Sequence, residues 1–206
     1  MYLFLDIDHT LLNTHRFKKD LATCAGDLGV TPRVFWKTYR ALRKKGAFDA
    51  ETFLHYLPPS FFPRRRGIAK RLTKVIEHVE RYMYHDASFF LEWAKREGHT
   101  VVLYTYGKRS VQLQKINALR RRHTIYEWVI TTDRTKRKNF RQYVRGRTPW
   151  IWIDDFDDVP VADRAFRGGT LLALQRKKGK RLRGIPVVRT LYQAIPFIKR
   201  ASSHRI

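Results

Sequence analysis

Six of the 18 acidic residues of this 206-residue chain gather at two places, each at the end of a short apolar run. Asp6 and Asp8 close the run that begins at Tyr2. Four further acids follow the run from Trp150 to Ile153, namely Asp154, Asp155, Asp157 and Asp158. Grouped carboxylates can serve as a nucleophile, as a general acid or base, or as ligands of a hard cation. An oxygen-only ligand set suits Mg²⁺, which also binds substrate phosphate.

Both acidic groups need strands that bring them to one edge of a sheet. Ligands of open parallel sheets bind outside the carboxyl ends of the strands, so we expect the two groups to face the same crevice. Their carboxylates would repel each other there, and a divalent cation would relieve that repulsion. Taken singly, the first pair could be turn acids and the later four a solvated loop. Their joint placement after strands argues against both alternatives.

From Asp86 onward, strand-like and helical patterns alternate. We predict that Asp86 caps a helix that Gly98 closes. Apolar, β-rich runs then occupy 100–105, 126–130, 150–153 and 170–174, with helical patterns at 109–120 and 140–144. This alternation is typical of a parallel sheet with crossover helices.

Residues from about 17 to 84 show helical spacing and no strand alternation. Thr31 and Pro32 are an N-cap residue followed by a first-turn proline, and Pro58 with Pro59 stops a short helix. This segment is predicted to be an all-helical insert. Its aromatic residues at helical spacing favour a core of its own, with stacking on a base or sugar as the alternative; they are Trp36, Tyr39, Phe53 and Tyr56.

Four segments resemble, in order, the four motifs of the haloacid dehalogenase superfamily. The first is Phe4 to Leu12, which contains Asp-x-Asp-x-Thr, and the second is the apolar run from Val101 that ends in Thr105, Tyr106 and Gly107. Lys136 resembles the third-motif lysine, with Lys138 as the competing candidate, and Ile151 to Asp158 resembles the acidic fourth motif. One such motif is weak evidence, whereas four in order are strong evidence.

The resemblance implies an α/β fold, with a Rossmann-like parallel sheet core and an inserted all-helical cap. The core would comprise residues 1–14 and 86–206, and the cap residues 15–85, inserted after the first strand. It also implies a Mg²⁺-dependent phosphatase that acts through an aspartyl-phosphate. The expected substrate is a small phosphorylated metabolite that the cap selects.

The same resemblance implies a role for each motif residue. The catalytic residues would be Asp6 as nucleophile, Asp8 as general acid and base, Thr105 as hydrogen-bond donor to a phosphoryl oxygen, and Lys136 as the neutralising cation. Three further residues are expected to be substrate-binding: Thr10 would fix the turn after the nucleophile, and Tyr106 and Gly107 would shape the loop near the phosphate, with Gly107 there for its backbone freedom. The metal ligands would be Asp6, Asp8 through its carbonyl, Asp154, and Asp155 or Asp158. Asp8 favours a phosphatase over a dehalogenase, because a dehalogenase of this superfamily is expected to lack that acid. Mutases of the superfamily keep it, so phosphoryl transfer between two positions of a sugar stays an alternative.

Charge suggests a second class of partner. Lys and Arg total 43 against 18 Asp and Glu, for a formal net charge of +25. Such a protein attracts polyanions, although a general basic bias explains dispersed charges equally well. One alternative is therefore a phosphatase that acts on nucleotides or nucleic-acid ends. Another is a nucleic-acid-binding protein on an inactive form of the same fold.

The chain has no apolar stretch long enough to span a bilayer, and its N-terminus lacks the features of a signal peptide. Its single cysteine, Cys24, cannot form an internal disulfide. We therefore expect a cytoplasmic protein without a membrane partner. The sequence does not specify an oligomeric state.

Overall fold

The computed structural model describes residues 1–44, 48–133, 136–147, 149–155, 169–177 and 184–203. Six strands are present in this part of the chain: β1 (Tyr2–Leu5), β2 (Thr100–Tyr106), β3 (Glu127–Thr131), β4 (Trp150–Asp154), β5 (Gly169–Leu174) and β6 (Val187–Val188). The helices are α1 (Thr14–Gly26), α2 (Pro32–Lys44), α3 (Ala50–His55), α4 (Arg65–Glu77), α5 (His85–Arg96), α6 (Arg109–Arg120), α7 (Arg137–Tyr143) and α8 (Leu191–Ser203). Two short 3-10 helices cover Pro59–Arg64 and Val79–Tyr82.

All six strands form one parallel sheet in the order β3-β2-β1-β4-β5-β6. The chain runs outward from β1 through β2 to β3, then returns to the other side of β1 with β4. β1 therefore lies at the point where the strand order reverses, which is where parallel α/β sheets bind ligands. The predicted parallel sheet is confirmed.

The central strands β1, β2 and β4 are parallel and largely buried, so their sequences are apolar runs and do not alternate with polar residues. On one face of the sheet, Phe140 of α7 packs on Trp152 with ring centroids 4.2 Å apart. Phe4 and Tyr104 contact the same phenyl ring edge-on, at 5.0 and 5.1 Å. Burial of each such side chain contributes about 1.5–3 kcal/mol relative to exposure. This aromatic cluster fixes α7, and with it the residue before α7, against the sheet.

Gly169 begins β5 beside Trp150 of β4. A Cβ atom built on Gly169 would lie 2.1 Å from the indole of Trp150. Only glycine lets the β5 backbone approach this fully buried ring, so a larger residue would shift the strand that follows the second acidic group.

The chain divides into two compact units. The first unit comprises residues 1–12, 83–106 and 122–206 and contains the sheet. The second unit comprises residues 13–82 and 107–121, and its described elements are all helices. The predicted division into residues 1–14 with 86–206 and an insert of 15–85 remains a prediction, because compact packing does not say which segment was inserted.

The second unit packs α1 against α4, with α2, α3 and α6 around them. Its buried side chains recur at helical spacing, as Ile68, Leu72 and Ile76 do on α4. Asp49 caps α3 by accepting a hydrogen bond from the Thr52 amide at 2.9 Å, which satisfies an amide that the helix itself leaves unpaired.

The prediction that Asp86 caps its helix is wrong. Tyr84 holds the N-cap position of α5, and Asp86 lies in the first turn with its carboxylate turned to other partners. The two-residue strand β6 is too short for a periodic pattern to reveal it. Within the described residues, no helix is both long and apolar enough to cross a membrane.

Candidate active site

Asp6 lies directly after β1 and continues its pairing with β4. The Asp6 amide donates to the carbonyl of Ile153 at 3.1 Å, which places Asp6 beside Asp154 at the carboxyl end of β4. Both side chains are nearly inaccessible, with Asp6 4% and Asp154 3% exposed. Two acids so deeply buried need compensating partners, because an isolated carboxylate is costly to remove from water.

Lys136 supplies one such partner. Its Nζ donates to Asp6 Oδ1 at 2.6 Å and to Asp154 Oδ2 at 2.8 Å, so a single ammonium bridges the ends of β1 and β4. The lysine precedes α7 and is itself buried. A bridge of this kind brings together residues 130 and 18 positions apart in the chain.

The pKa values follow from this crowding. Burial is the largest influence on Asp6 and raises its pKa to about 7; the Lys136 ammonium lowers it, whereas Asp154 and Asp8 raise it further. Burial alone would lower the pKa of Lys136, but the carboxylates of Asp154 and Asp6 raise it above its usual value. Lys136 therefore stays charged, and one ammonium is too little to neutralise all the carboxylates around it.

A third carboxylate completes a potential cation site. Ligand oxygens of Asp6, Asp154 and Asp155 all lie within 4.8 Å of one another. Lys136 takes one oxygen of Asp6 and one of Asp154, and each of these carboxylates has a second oxygen. An all-oxygen donor set with excess negative charge fits Mg²⁺. The Asp8 carboxylate is not in this group, and Asp158 lies outside the described residues.

Two buried threonine hydroxyls lie at the same edge of the sheet. Thr105 is in β2, next to β1, and Thr10 is in the loop after Asp8; they are 1% and 0% exposed. Among the described residues, neither Oγ1 has a hydrogen-bond partner. A buried polar atom without a partner is costly, so these hydroxyls fit a site that receives an oxygen-rich ligand.

The backbone is strained on both sides of the site. Within the described residues, the non-glycine residues with positive φ are His9, at 63°, and Lys136, at 60°. His9 separates Asp8 from Thr10, and the Tyr104 hydroxyl holds Lys136 by donating to its carbonyl at 2.7 Å. Such conformations cost about 1–3 kcal/mol each and persist only where neighbouring contacts enforce them.

Arg176 fixes the loop that follows Asp6 and Asp8. Its Nη2 and Nε donate to the carbonyl of Thr10 at 2.7 and 3.2 Å, and its Nη1 donates to Asp86 at 2.9 Å. The guanidinium also stacks on the ring of Tyr84, 3.6 Å from its centroid. Asp86 in turn accepts from the Leu191 amide at 2.8 Å, which ties the start of α8 to the same network.

The remaining residues that the sequence predicted for the site differ in burial, in the unit they belong to and in whether the structure describes them. Asp8 is half-buried, two residues beyond Asp6. Tyr106 ends β2 and is half-buried, whereas Gly107 belongs to the second unit. Gly107 has φ 148°, and a Cβ there would meet the Gln112 side chain at 2.7 Å, so its role is in the backbone. Asp157 and the side chain of Lys138 lie outside the described residues.

Sequence reasoning missed Tyr104, Asp86 and Arg176 as parts of the site. Tyr104 looked like one more apolar residue of β2, and its hydroxyl function depends on where Lys136 lies. Arg176 follows β5 at the same edge as both acidic groups, and that position was the available signal. It was hidden in the dense basic run that begins there.

The fold matches solved structures of haloacid dehalogenase-like hydrolases. A protein described as such a hydrolase, from Burkholderia xenovorans LB400, aligns with a TM-score of 0.70 and 16% identity over 98% of this chain and 97% of its own. The L-2-haloacid dehalogenase from Xanthobacter autotrophicus aligns with a TM-score of 0.60 and 13% identity over 97% and 98%. A protein described as a HAD-hydrolase from Bacillus subtilis, bound to magnesium, aligns with a TM-score of 0.56 and 12% identity, over 96% of this chain and 97% of its own.

No protein-family model matches the sequence, and no curated protein matches it. The likeness is therefore one of fold, at identities too low to carry an activity across. The fold that the four motifs implied is confirmed.

Proposed function

We propose that this chain is a Mg²⁺-dependent phosphatase that forms an aspartyl-phosphate on Asp6. The observation that carries the proposal is the Lys136 bridge between Asp6 and Asp154, with the Asp155 carboxylate within 4.8 Å of both acids. This arrangement surrounds a carboxylate nucleophile with positive charge and with ligands for a cation. Phosphoryl transfer needs positioning and charge neutralisation of this kind.

In the first step, an oxygen of Asp6 attacks phosphorus and the bond to the substrate alkoxide breaks. Asp8 donates its proton to that leaving oxygen, so the alcohol departs neutral. Asp6 has two carboxylate oxygens, so one can face the cation and Lys136 while the other attacks phosphorus. Asp8 is half-buried and two residues away, which leaves it access to solvent for its proton.

In the second step, Asp8, now a carboxylate, takes a proton from water, and the water oxygen attacks phosphorus. The bond between Asp6 and phosphorus breaks, which regenerates both carboxyl groups and releases inorganic phosphate. Throughout, Lys136 and the Thr105 hydroxyl would donate to the phosphoryl oxygens on which negative charge accumulates. The unpartnered Thr105 Oγ1 supports that role.

Asp6, Asp154 and Asp155 would hold Mg²⁺, together with the Asp8 carbonyl that the motif resemblance implies. Bound there, the ion would neutralise phosphoryl charge and hold Asp6 deprotonated at neutral pH. Asp158 remains a candidate fourth acid.

Dehalogenation is the second candidate, because dehalogenases are among the solved structures with this fold. In that reaction the nucleophilic carboxylate attacks carbon and expels halide, which needs no general acid for the leaving group. Asp8 favours phosphate esters, whose alkoxide leaving groups gain from protonation. The substrate we propose is a small phosphorylated metabolite.

The test measures phosphate release from p-nitrophenyl phosphate and halide release from 2-chloropropionate, each with and without Mg²⁺. We expect phosphate release that requires Mg²⁺ and falls at least about 10⁴-fold in Asp6→Asn, the scale of losing a nucleophile. Glu97→Gln, at an exposed acid of the same unit, is the control that retains activity. Undiminished phosphate release by Asp6→Asn, or halide release alone, would overturn the proposal.

A further inference from the structure

The second unit carries most of the net positive charge of the chain, although it is the smaller unit. It has 21 Lys and Arg residues against 6 Asp and Glu, a formal charge of +15. The first unit has 22 against 12, a formal charge of +10. The basic bias is therefore uneven, and its excess lies on helices.

The acids of the second unit are largely engaged with neighbours inside that unit. Asp27 pairs with Arg71 at 3.1 Å and Asp49 with Lys108 at 2.8 Å. Glu80 pairs with Arg121 at 3.5 Å, and Asp20 accepts from the Tyr82 hydroxyl at 2.9 Å. These acids leave other basic side chains uncompensated.

Helix α4 displays such side chains in a row. Arg66, Lys70 and Lys74 are exposed at intervals of four residues, which spaces them about 6 Å apart along the helix. Among the described residues, none of the three has an ion-pair or hydrogen-bond partner for its side chain. We call these three residues the α4 stripe; a row of unpaired cations suits a polymer of regularly spaced anions.

An exposed aromatic ring lies just before the α4 stripe. Phe62, in the 3-10 helix that leads into α4, is 54% exposed. The guanidinium of Arg65 stacks on the Phe62 ring, 3.6 Å from its centroid. The Nε atom of Arg65 is buried and has no hydrogen-bond partner among the described residues. Phe62 therefore presents a supported ring beside a row of cations, the combination that binds single-stranded nucleic acid through base stacking and phosphate contacts.

We propose that the second unit binds single-stranded nucleic acid along α4, with phosphates on Arg66, Lys70 and Lys74 and a base stacked on Phe62. A duplex keeps its bases stacked internally, so it cannot use the Phe62 ring in this way. An anionic membrane is the weaker partner, because α4 buries its apolar side chains Ile68, Leu72 and Ile76 and has no apolar face to insert. This surface uses none of the residues of the proposed active site.

The test is fluorescence anisotropy of the full chain with labelled single-stranded and duplex oligonucleotides, from about 50 to 200 mM salt. Arg66→Gln/Lys70→Gln/Lys74→Gln removes the α4 stripe. Lys95→Gln/Arg96→Gln/Lys199→Gln removes three exposed charges from the first unit and is the matched control. We expect the stripe variant to bind at least about tenfold more weakly, with a salt slope lower by about 2, since each phosphate contact contributes about 0.7. The control variant should stay within about twofold of wild type.

Phe62→Leu tests the stacking contact separately, because leucine keeps the apolar volume and removes the ring face. It should weaken single-strand binding at least about fivefold and leave duplex binding unchanged. Circular dichroism verifies that each variant folds. Equal losses in the stripe and control triples, wild-type affinity in Phe62→Leu, or binding to phosphatidylserine vesicles without binding to oligonucleotides would overturn the proposal. Phosphatase activity is not a readout of this experiment, so the two proposals fail or hold separately.

Discussion

Charged side chains are buried and paired at the sheet edge of the first unit, whereas in the α4 stripe of the second unit they are exposed and unpaired among the described residues. At the sheet edge, Asp6 and Asp154 are buried together with Lys136, which binds them at 2.6 and 2.8 Å. On α4, Arg66 and Lys70 are exposed and have no partner among the described residues. The first arrangement makes each charge depend on its neighbours, whereas the second leaves each charge available to a ligand.

The difference shows why net charge and local charge must be considered separately. The chain is strongly basic as a whole, yet at the sheet edge carboxylates outnumber ammonium groups. Burial multiplies the strength of every interaction there, because little water screens it. Water screens the exposed helical charges, so they add little to stability and act mainly in attracting a partner.

The largest effect should come from removing the charge that bridges the buried acids. Lys136→Met leaves two carboxylates without their ammonium, and we expect the free energy of unfolding to fall by about 3–5 kcal/mol. Lys108→Met breaks a pair whose lysine is 43% exposed, and we expect a loss of about 1 kcal/mol or less. Urea denaturation at neutral pH without Mg²⁺ measures both, and similar losses would mean that the two regions do not differ as described.

A smaller effect should follow from loosening the loop that Arg176 holds. Arg176→Met removes both hydrogen bonds to Thr10, and we expect kcat to fall about 10–100-fold with KM little changed, because the loop positions Asp6 and Asp8. Arg176→Lys restores a cation next to Asp86 but not the forked contact with the Thr10 carbonyl.

Steady-state kinetics and thermal unfolding of both Arg176 variants separate positioning from stability. The lysine variant should recover melting temperature more fully than kcat. Parallel recovery of both would show that Arg176 acts only through stability.

The smallest effect concerns Asp49 in the second unit and depends on pH. Burial raises the pKa of Asp49, but hydrogen bonds from Lys108 and Thr52, with the charge of the lysine, outweigh burial and hold the pKa below its usual 3.8. A carboxyl with a lowered folded-state pKa contributes stability above pH 3.8, and that contribution disappears as pH falls through the folded-state value.

Asp49→Asn tests the contribution of the Asp49 charge to stability, because asparagine still caps α3 while the charge is lost. We expect it to reduce the free energy of unfolding by about 1 kcal/mol at pH 7. The difference between variant and wild type should vanish under acid conditions, below the folded-state pKa. A difference of constant size across that range would assign the effect to the cap and not to the charge.

The sequence was sufficient for the parts of the fold that depend on local pattern. β1, β2, β4 and β5 appear as apolar runs because buried parallel strands need no polar face. The carboxyl ends of β1 and β4 meet as expected, since the two strands are neighbours and Asp6 lies beside Asp154.

The parts of the fold and the site that depend on contacts between distant residues could not be predicted from the sequence. Asp86 lies where the sequence predicts a helix N-cap, but its carboxylate accepts a hydrogen bond from Arg176, 90 residues away. That contact depends on the tertiary fold. The backbone at Lys136 adopts φ 60° because Tyr104 and the two carboxylates hold it, and no local residue pattern encodes that. The roles of the site residues remain predictions until activity is measured.

The central claim is that Asp6 becomes covalently phosphorylated. The most direct measurement is mass spectrometry of acid-quenched protein after brief exposure to p-nitrophenyl phosphate and Mg²⁺. Asp8→Asn slows hydrolysis of the intermediate, and the nitrophenolate of this substrate leaves without a proton from Asp8. The account predicts a mass increase of one phosphoryl group on the peptide that contains Asp6, and its loss on treatment with hydroxylamine. Phosphate release during which Asp6 stays unmodified and another residue carries the phosphoryl group would contradict it.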